Sequence, residues 1–272
     1  MILGLVGSEM CIRDRLTSLD LTQNTALTSL DCSHNQLTNL DISQNTGLTS
    51  LTCDNNELPN LDVTQQPTLT FLNCGYNPLG TIDLSQNTML EKLLCYNSEL
   101  VALDLTENTV LNYLRCDVNQ LTSLDLSQNT ELTILNVGDN QLTGLDVTSH
   151  SNLTYLHYYK NQLTTVDVSQ NPGLIALNCF QNELTTLDVT QNTALTHLDC
   201  SNNELPGLDI TQNTLLLEVK CRSNQIAELD VSQNTAMLSL QCADNELTSL
   251  DVAQNTNLLY LSCDSNQLAN ID

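Results

Sequence analysis

The sequence predicts an all-β repeat solenoid of about twelve 21-residue coils, with two parallel β-sheets and little or no helix. Three observations carry that expectation. Leucine, asparagine and aspartate recur every 21 residues from Leu16 onward, without an insertion or deletion. Each unit contains two apolar triplets spaced L-x-x-L-x-L/C, and an asparagine follows each triplet. A period of this size is the mark of units that bury their apolar edges only against their neighbours.

Residues 16–36, LTSLDLTQNTALTSLDCSHNQ, illustrate one unit. Leu16, Leu19 and Leu21 form the first triplet, and Leu27, Leu30 and Cys32 the second. The end of each triplet alternates with period two, as a half-exposed strand requires. We call the segment around Leu19-Asp20-Leu21 strand B and the segment around Leu30-Asp31-Cys32 strand A. Stacked about 4.8 Å apart, twelve such coils would make a rod of roughly 58 Å. Neither half leaves room for a helix beyond a single turn near Gln23-Asn24-Thr25.

Leu27–Leu37 (LTSLDCSHNQL) and Leu132–Leu142 (LTILNVGDNQL) match the core L-x-x-L-x-L-x-x-N/C-x-L. On these segments the chain resembles leucine-rich repeat proteins. With LxxLDL or LxxLDV in the other half, it is similar to the bacterial nested 21-residue (IRREKO-type) class. The resemblance spans residues 16–272. It implies a solenoid whose usual role is protein or glycan recognition at a secreted or cell-surface location, and it carries over no catalytic residue. Some positions depart from the pattern. Gln66 and His150 replace the first asparagine, Ser98 the second, and Val137 and Tyr158 the cysteine, so slight distortion is expected in repeats 3, 4 and 7.

Three ladders run the length of the array. The second asparagine column (Asn35, Asn56, Asn77, Asn119 and onward) is expected to satisfy backbone groups at the bend. Ten cysteines, Cys32 to Cys263, share an inward column and read as small buried hydrophobes. No CxxC or close His/Cys pair supports zinc. The third ladder is acidic and faces outward from strand B: Asp20, Asp41, Asp62, Asp83, Asp104, Asp125, Asp146, Asp167, Asp188, Asp209, Asp230 and Asp251. Charges about 4.8 Å apart repel by roughly 0.9 kcal/mol in bulk water. Hydrogen bonds from the following Ser or Thr residues are the first remedy, and bound calcium is the alternative. No other cofactor is expected.

Variation separates scaffold from site. Strand B keeps small polar residues outward, whereas strand A does not. The five basic residues beyond position 15 are Lys92, Arg115, Lys160, Lys220 and Arg222, and all lie on strand A or the turn after it. Phe71, Tyr76, Tyr96, Tyr113, Tyr155, Tyr159, Phe180 and Tyr260 gather there too, with His157 among them. Tyr and Arg on a rigid exposed sheet are the side chains that anchor interfaces. The candidate ligand-binding set is therefore Phe71, Lys92, Tyr96, Tyr113, Arg115, Tyr155, His157, Tyr159, Lys160, Phe180, Lys220 and Arg222. Tyr158, in the cysteine column, is expected to be packed inside.

A net charge of −25 argues against a nucleic-acid partner. No run of 18 apolar residues is present to insert in a membrane. No G-x-S-x-G, HExxH or P-loop signals an enzyme. The expected function is non-catalytic recognition of a protein or glycan through strand A. The alternative is a structural or adhesive surface rod stabilised by cations on the aspartate ladder. Ice binding is a distant third reading, because the regular face is charged.

The ends of the chain follow other rules. Leu5 to Arg15 back-translates, in one frame, to a transposase adaptor used in preparing sequencing libraries, so residues 1–15 are read as an assembly artefact on a metagenomic fragment. The chain stops at Asp272, five residues into another repeat, so both natural termini are expected to lie elsewhere. Uncapped sheet ends predict end-to-end association of the fragment.

Overall fold

The computed structural model describes residues 15–269, which form one parallel β-solenoid. Residues 1–14 of the adaptor-like stretch and Asp272 lie outside the described residues. Every coil contributes one short strand: β1 (Ser29–Asp31), β2 (Ser50–Thr52), β3 (Phe71–Asn73), β4 (Lys92–Leu94), β5 (Tyr113–Arg115) and β6 (Ile134–Asn136). The series continues with β7 (Tyr155–His157), β8 (Ala176–Asn178), β9 (His197–Asp199), β10 (Glu218–Lys220), β11 (Ser239–Gln241) and β12 (Tyr260–Ser262). These pair in chain order as one parallel sheet of 12 strands. Register advances by one repeat at each step, so Leu30 faces Leu51 and Leu51 faces Leu72. No helix occurs among the described residues.

One expectation is corrected. There are not two sheets but one, because strand B forms no ladder among the described residues. Its polar groups are used otherwise. Within the coil, Asn24 N donates to Leu21 O at 2.9 Å and Leu27 N to Asn24 O at 3.0 Å, making two consecutive turns. Between coils, the first-column asparagine does the bridging: Asn45 Nδ2 donates to Leu21 O at 3.3 Å and to Asn24 O at 2.8 Å. A side chain thus stands where a sheet would have placed a backbone N–H. The amide oxygens of this column, from Asn45 to Asn255, are buried and meet no donor among the described residues.

The core runs unbroken along the axis. The second coil supplies Leu37, Leu40, Ile42, Leu48, Leu51 and Cys53, all buried. Each full leucine burial is worth about 1.5–3 kcal/mol. Every copy of the cysteine column is free, and burial pushes the thiols from Cys32 to Cys242 up, Cys32 and Cys74 to about 12. They pack as apolar atoms, and their thiolates are suppressed. Tyr158 enters the same column fully buried, and its hydroxyl has no oxygen or nitrogen partner among the described residues.

The bend after each strand is held by the second asparagine column. Asn119 is typical. Its Nδ2 donates to Cys95 O and Cys116 O, both at 2.9 Å, and its Oδ1 accepts from Leu100 N at 3.0 Å. The residue before this asparagine turns left-handed in every coil, from His34 (φ 54°) to Ser265 (φ 52°). Asn, Asp and Ser tolerate that geometry, but Val118 (φ 57°) is β-branched and pays for it.

Distortion appears at one of the expected places. Where Ser98 replaces the asparagine, Leu79 N turns back to Asn77 O at 2.8 Å and Glu99 takes a second positive φ of 57°. Gln66 and His150 substitute more quietly. Gln66 Nε2 donates to Ile42 O at 2.8 Å, and His150 Nε2 to Leu126 O at 3.1 Å.

Replacing Asn119 by Ala strips buried partners from two coils at once. We expect a loss of about 2–4 kcal/mol in chemical denaturation, with Asn119→Asp as damaging because it removes the donor. A loss below that of an exposed surface change would contradict the role given to this column.

Candidate recognition face

The outward side chains of the sheet form three parallel columns. The first contains Phe71, Lys92, Tyr113, Ile134, Tyr155, Ala176, His197 and Glu218. The second contains Asn73, Leu94, Arg115, Asn136, His157, Asn178, Asp199 and Lys220. Beyond the inward cysteine, the third carries Gly75, Tyr96, Asp117, Gly138, Tyr159, Phe180, Ser201 and Arg222. Tyr76 and Lys160 follow on the left-handed turn residue. The twelve candidate ligand-binding residues therefore share one face, spread over eight coils. Strand spacing makes that about 34 Å from Phe71 to Lys220.

They do not play equal parts. Tyr96 is packed rather than presented. Its ring lies where a Cβ on Gly75 would come within 2.9 Å, Tyr76 meets it edge-on at 5.3 Å, and the Arg115 guanidinium sits 4.6 Å above it. Tyr159 repeats the arrangement over Gly138, whose Cβ would approach the ring to 2.3 Å. Burial raises both phenols above their usual range. Asp54 adds to the effect at Tyr96, and Asp117 at Tyr159. Both glycines sit 21 residues before the ring they accommodate, a spacing visible in the sequence.

Arg115 is fixed at the centre. Nε and Nη2 each donate to Asp117 at 3.2 Å, one to each carboxylate oxygen. Burial works against its charge, but the fork to Asp117 prevails and holds the guanidinium above its usual value. Asp117 itself is buried. His157 is held below its usual range by burial, with Arg115 adding to that and Asp117 opposing, so the ring is neutral near pH 7. Two of the other cations are also paired, Lys160 to Asp139 at 3.4 Å and Lys220 to Glu218 at 3.0 Å.

Two adjoining hollows open on this face. The first, about 290 Å³, is lined by Tyr113, Arg115, Ile134, Asn136, Tyr155 and His157. The second, about 320 Å³, begins at the Tyr155–His157 ridge and reaches Asn178, His197, Asp199, Glu218 and Lys220. Ile134, Asn136, His197, Asp199 and Glu218 were not among the sequence candidates, because selection by aromatic and basic type passes over them. Phe71, Lys92, Phe180 and Arg222 line neither hollow.

The aspartate ladder has its own geometry on the segment named strand B, outside the sheet. Thr106 N and Thr106 Oγ1 donate to Asp104 Oδ1 at 3.0 and 2.7 Å, and Thr22, Thr64, Thr148, Thr190 and Thr211 repeat the pattern. Bonds from this backbone N–H and hydroxyl hold Asp104 below the usual carboxylate range, and eleven carboxyls, Asp20 to Asp230, share the direction. Mutual repulsion is therefore the lesser effect. Among the described residues no three His, Cys, Asp or Glu side chains converge to hold a metal ion. Nor is any helix there long and apolar enough to cross a membrane.

Replacing Gly138 by Ala would drive its methyl into the Tyr159 ring. We expect the ring to leave its bed and the Tyr159 phenol to titrate closer to pH 10, which ultraviolet or NMR titration would show. A second expectation concerns acid. The ladder carboxyls are depressed in the folded state, so their stabilisation is present above the unfolded value of about 4 and is lost as pH falls through the folded values. The melting temperature should be level above about pH 5 and drop below about pH 4. A melt that improves on acidification would mean that repulsion dominates.

No family model matches the chain, and no curated protein matches it. Solved structures do. The chain is similar to the functional domain of InlJ from Listeria monocytogenes, described as including a cysteine ladder, with 42% identity and a TM-score of 0.93. The match covers 95% of this chain and 59% of that one, so the chain spans less than two thirds of that structure. It is also similar to the leucine-rich repeat protein LIC12759 of Leptospira interrogans, at 26% identity and a TM-score of 0.85, covering 94% and 72% of the two chains. The internalin inlF of Listeria monocytogenes shares the fold at 24% identity and a TM-score of 0.82, covering 90% and 76%. These structural neighbours are bacterial leucine-rich repeat proteins.

Proposed function

We propose that the chain is a non-catalytic recognition module that binds a protein or glycan through the β3–β10 face. The observation that carries this reading is the hollow between Tyr113 and Tyr155, floored by Ile134 and flanked by Arg115 and His157. It sets aromatic area beside fixed polar groups, the combination that anchors interfaces. Arg115 and Tyr96 are already ordered by their neighbours, so little conformational freedom is left for binding to remove. The nested 21-residue class is the subclass that the paired half-repeats favour. A secreted or cell-surface location is consistent with the internalin neighbours.

The second reading is a structural rod ordered by calcium along the aspartate ladder. In its favour, the ladder carboxylates are exposed on successive coils. Against it, their turns already satisfy one oxygen each, which removes much of the repulsion a cation would relieve.

The test is a binding screen against a random peptide library and an array of neutral and acidic oligosaccharides. Substituting both Tyr113 and Tyr155 by Ala should weaken the bound probe at least tenfold, while the melting temperature moves by no more than about 2 °C. Binding that survives both substitutions would sink the reading. The same melts in calcium and in EDTA address the rod, which requires a rise of several degrees with calcium.

A further inference from the structure

We infer that the partner is a protein segment that presents an apolar side chain and, beside it, a basic one. The inference rests on the recognition reading above and adds the chemistry of the partner.

The argument starts from charge. The chain carries −25 in total, and its cations on the sheet face are largely spent on its own acids. Arg115 is forked to Asp117, Lys220 is bonded to Glu218, and His157 is neutral near pH 7. The two hollows therefore offer no free positive site to an anionic chain, and the unpaired Lys92 and Arg222 line neither of them. Long-range attraction favours a cationic partner instead.

The two hollows then divide the work. Tyr113 and Tyr155 stand two coils apart, about 10 Å by strand spacing, with the half-buried Ile134 between them. That slot suits an aliphatic or aromatic side chain. Across the Tyr155–His157 ridge, the second hollow brings Asp199 and Glu218 against the single cation Lys220. Asp199 is half-buried, and its Oδ1 accepts only from Ser201 N at 3.1 Å, which leaves acceptor capacity on the carboxylate. An ammonium or guanidinium entering here meets one acid more than the chain itself neutralises, with the Tyr155 ring at its side. A neutral sugar would give that surplus carboxylate hydroxyl donors but no countercharge, and an acidic peptide would add to the surplus. Either mismatch costs affinity.

The test uses the chain with a random twelve-residue peptide library displayed on phage, and the neutral oligosaccharide array in parallel. Peptides enriched on the wild-type chain should place Lys or Arg a few residues from Phe, Tyr, Leu or Ile. On the doubly substituted Asp199→Asn, Glu218→Gln chain, the basic preference should disappear and the affinity of a wild-type-selected peptide should fall about tenfold. That peptide's association rate should also drop as salt rises. Enrichment of acidic or uncharged peptides, or binding confined to the oligosaccharides, overturns the inference while leaving recognition by this face intact. Peptides whose binding is unmoved by Tyr113→Ala with Tyr155→Ala overturn both. Circular dichroism of each variant separates loss of contact from loss of fold.

Discussion

The whole array depends on how the polar backbone is satisfied at the bends. A coil of 21 residues contains only three residues of ladder, so most of its N–H and C=O groups must find partners elsewhere. Backbone bonds from coil to coil, such as Cys32 N to Thr52 O and His34 N to Asp54 O, supply some, and the second asparagine column supplies those left at the bend. Its amide reaches the carbonyls of its own cysteine and of the preceding one, and its oxygen takes the N–H of the leucine that opens the preceding bend. The tolerance of that position is correspondingly small. Serine at position 98 keeps only a weak version of the donor, at 3.4 Å to Cys74 O, and the neighbouring backbone takes on a second left-handed residue.

The scaffold leaves its outward face free to vary. Inward side chains are constrained in volume by the coils on either side, and the acidic ladder is tied to its own turns. The sheet face bears neither constraint. Aromatic rings settle there where a glycine one repeat earlier makes room, and charges settle where a neighbour can pair them. The resulting surface is stiff, nearly charge-balanced in its middle, and set within a strongly acidic molecule.

Much of this was legible in the sequence. The columns of leucine, cysteine and asparagine could be assigned because the period never slips. The inward placement of Tyr158 followed from its position alone. The second sheet was misjudged for a physical reason. Alternation in Leu19-Asp20-Leu21 shows which side chains are buried, but not whether the backbone bonds to a neighbouring backbone or to Asn45 and its equivalents. The site was half legible. Residue type identified Tyr113, Arg115, Tyr155 and His157, yet could not tell presented rings from packed ones. Gly75 and Gly138, read one repeat ahead, would have marked Tyr96 and Tyr159 as packed. Asp199 and Glu218 matter only because the stacking sets them beside Tyr155, which no single repeat reveals.

The asparagine clasp also has a mechanical meaning. Each coil is held to the one before it by its own sheet bonds and by two side-chain amides, one from each asparagine column, and among the described residues each strand meets only its neighbours. Pulled along its axis, such a rod has no single breaking point. Tension reaching an end coil would open that coil's clasp and ladder together and release its 21 residues, roughly 70 Å of slack, before loading the next. The molecule would lengthen in even steps, each dissipating work while the remaining coils keep their binding face in register.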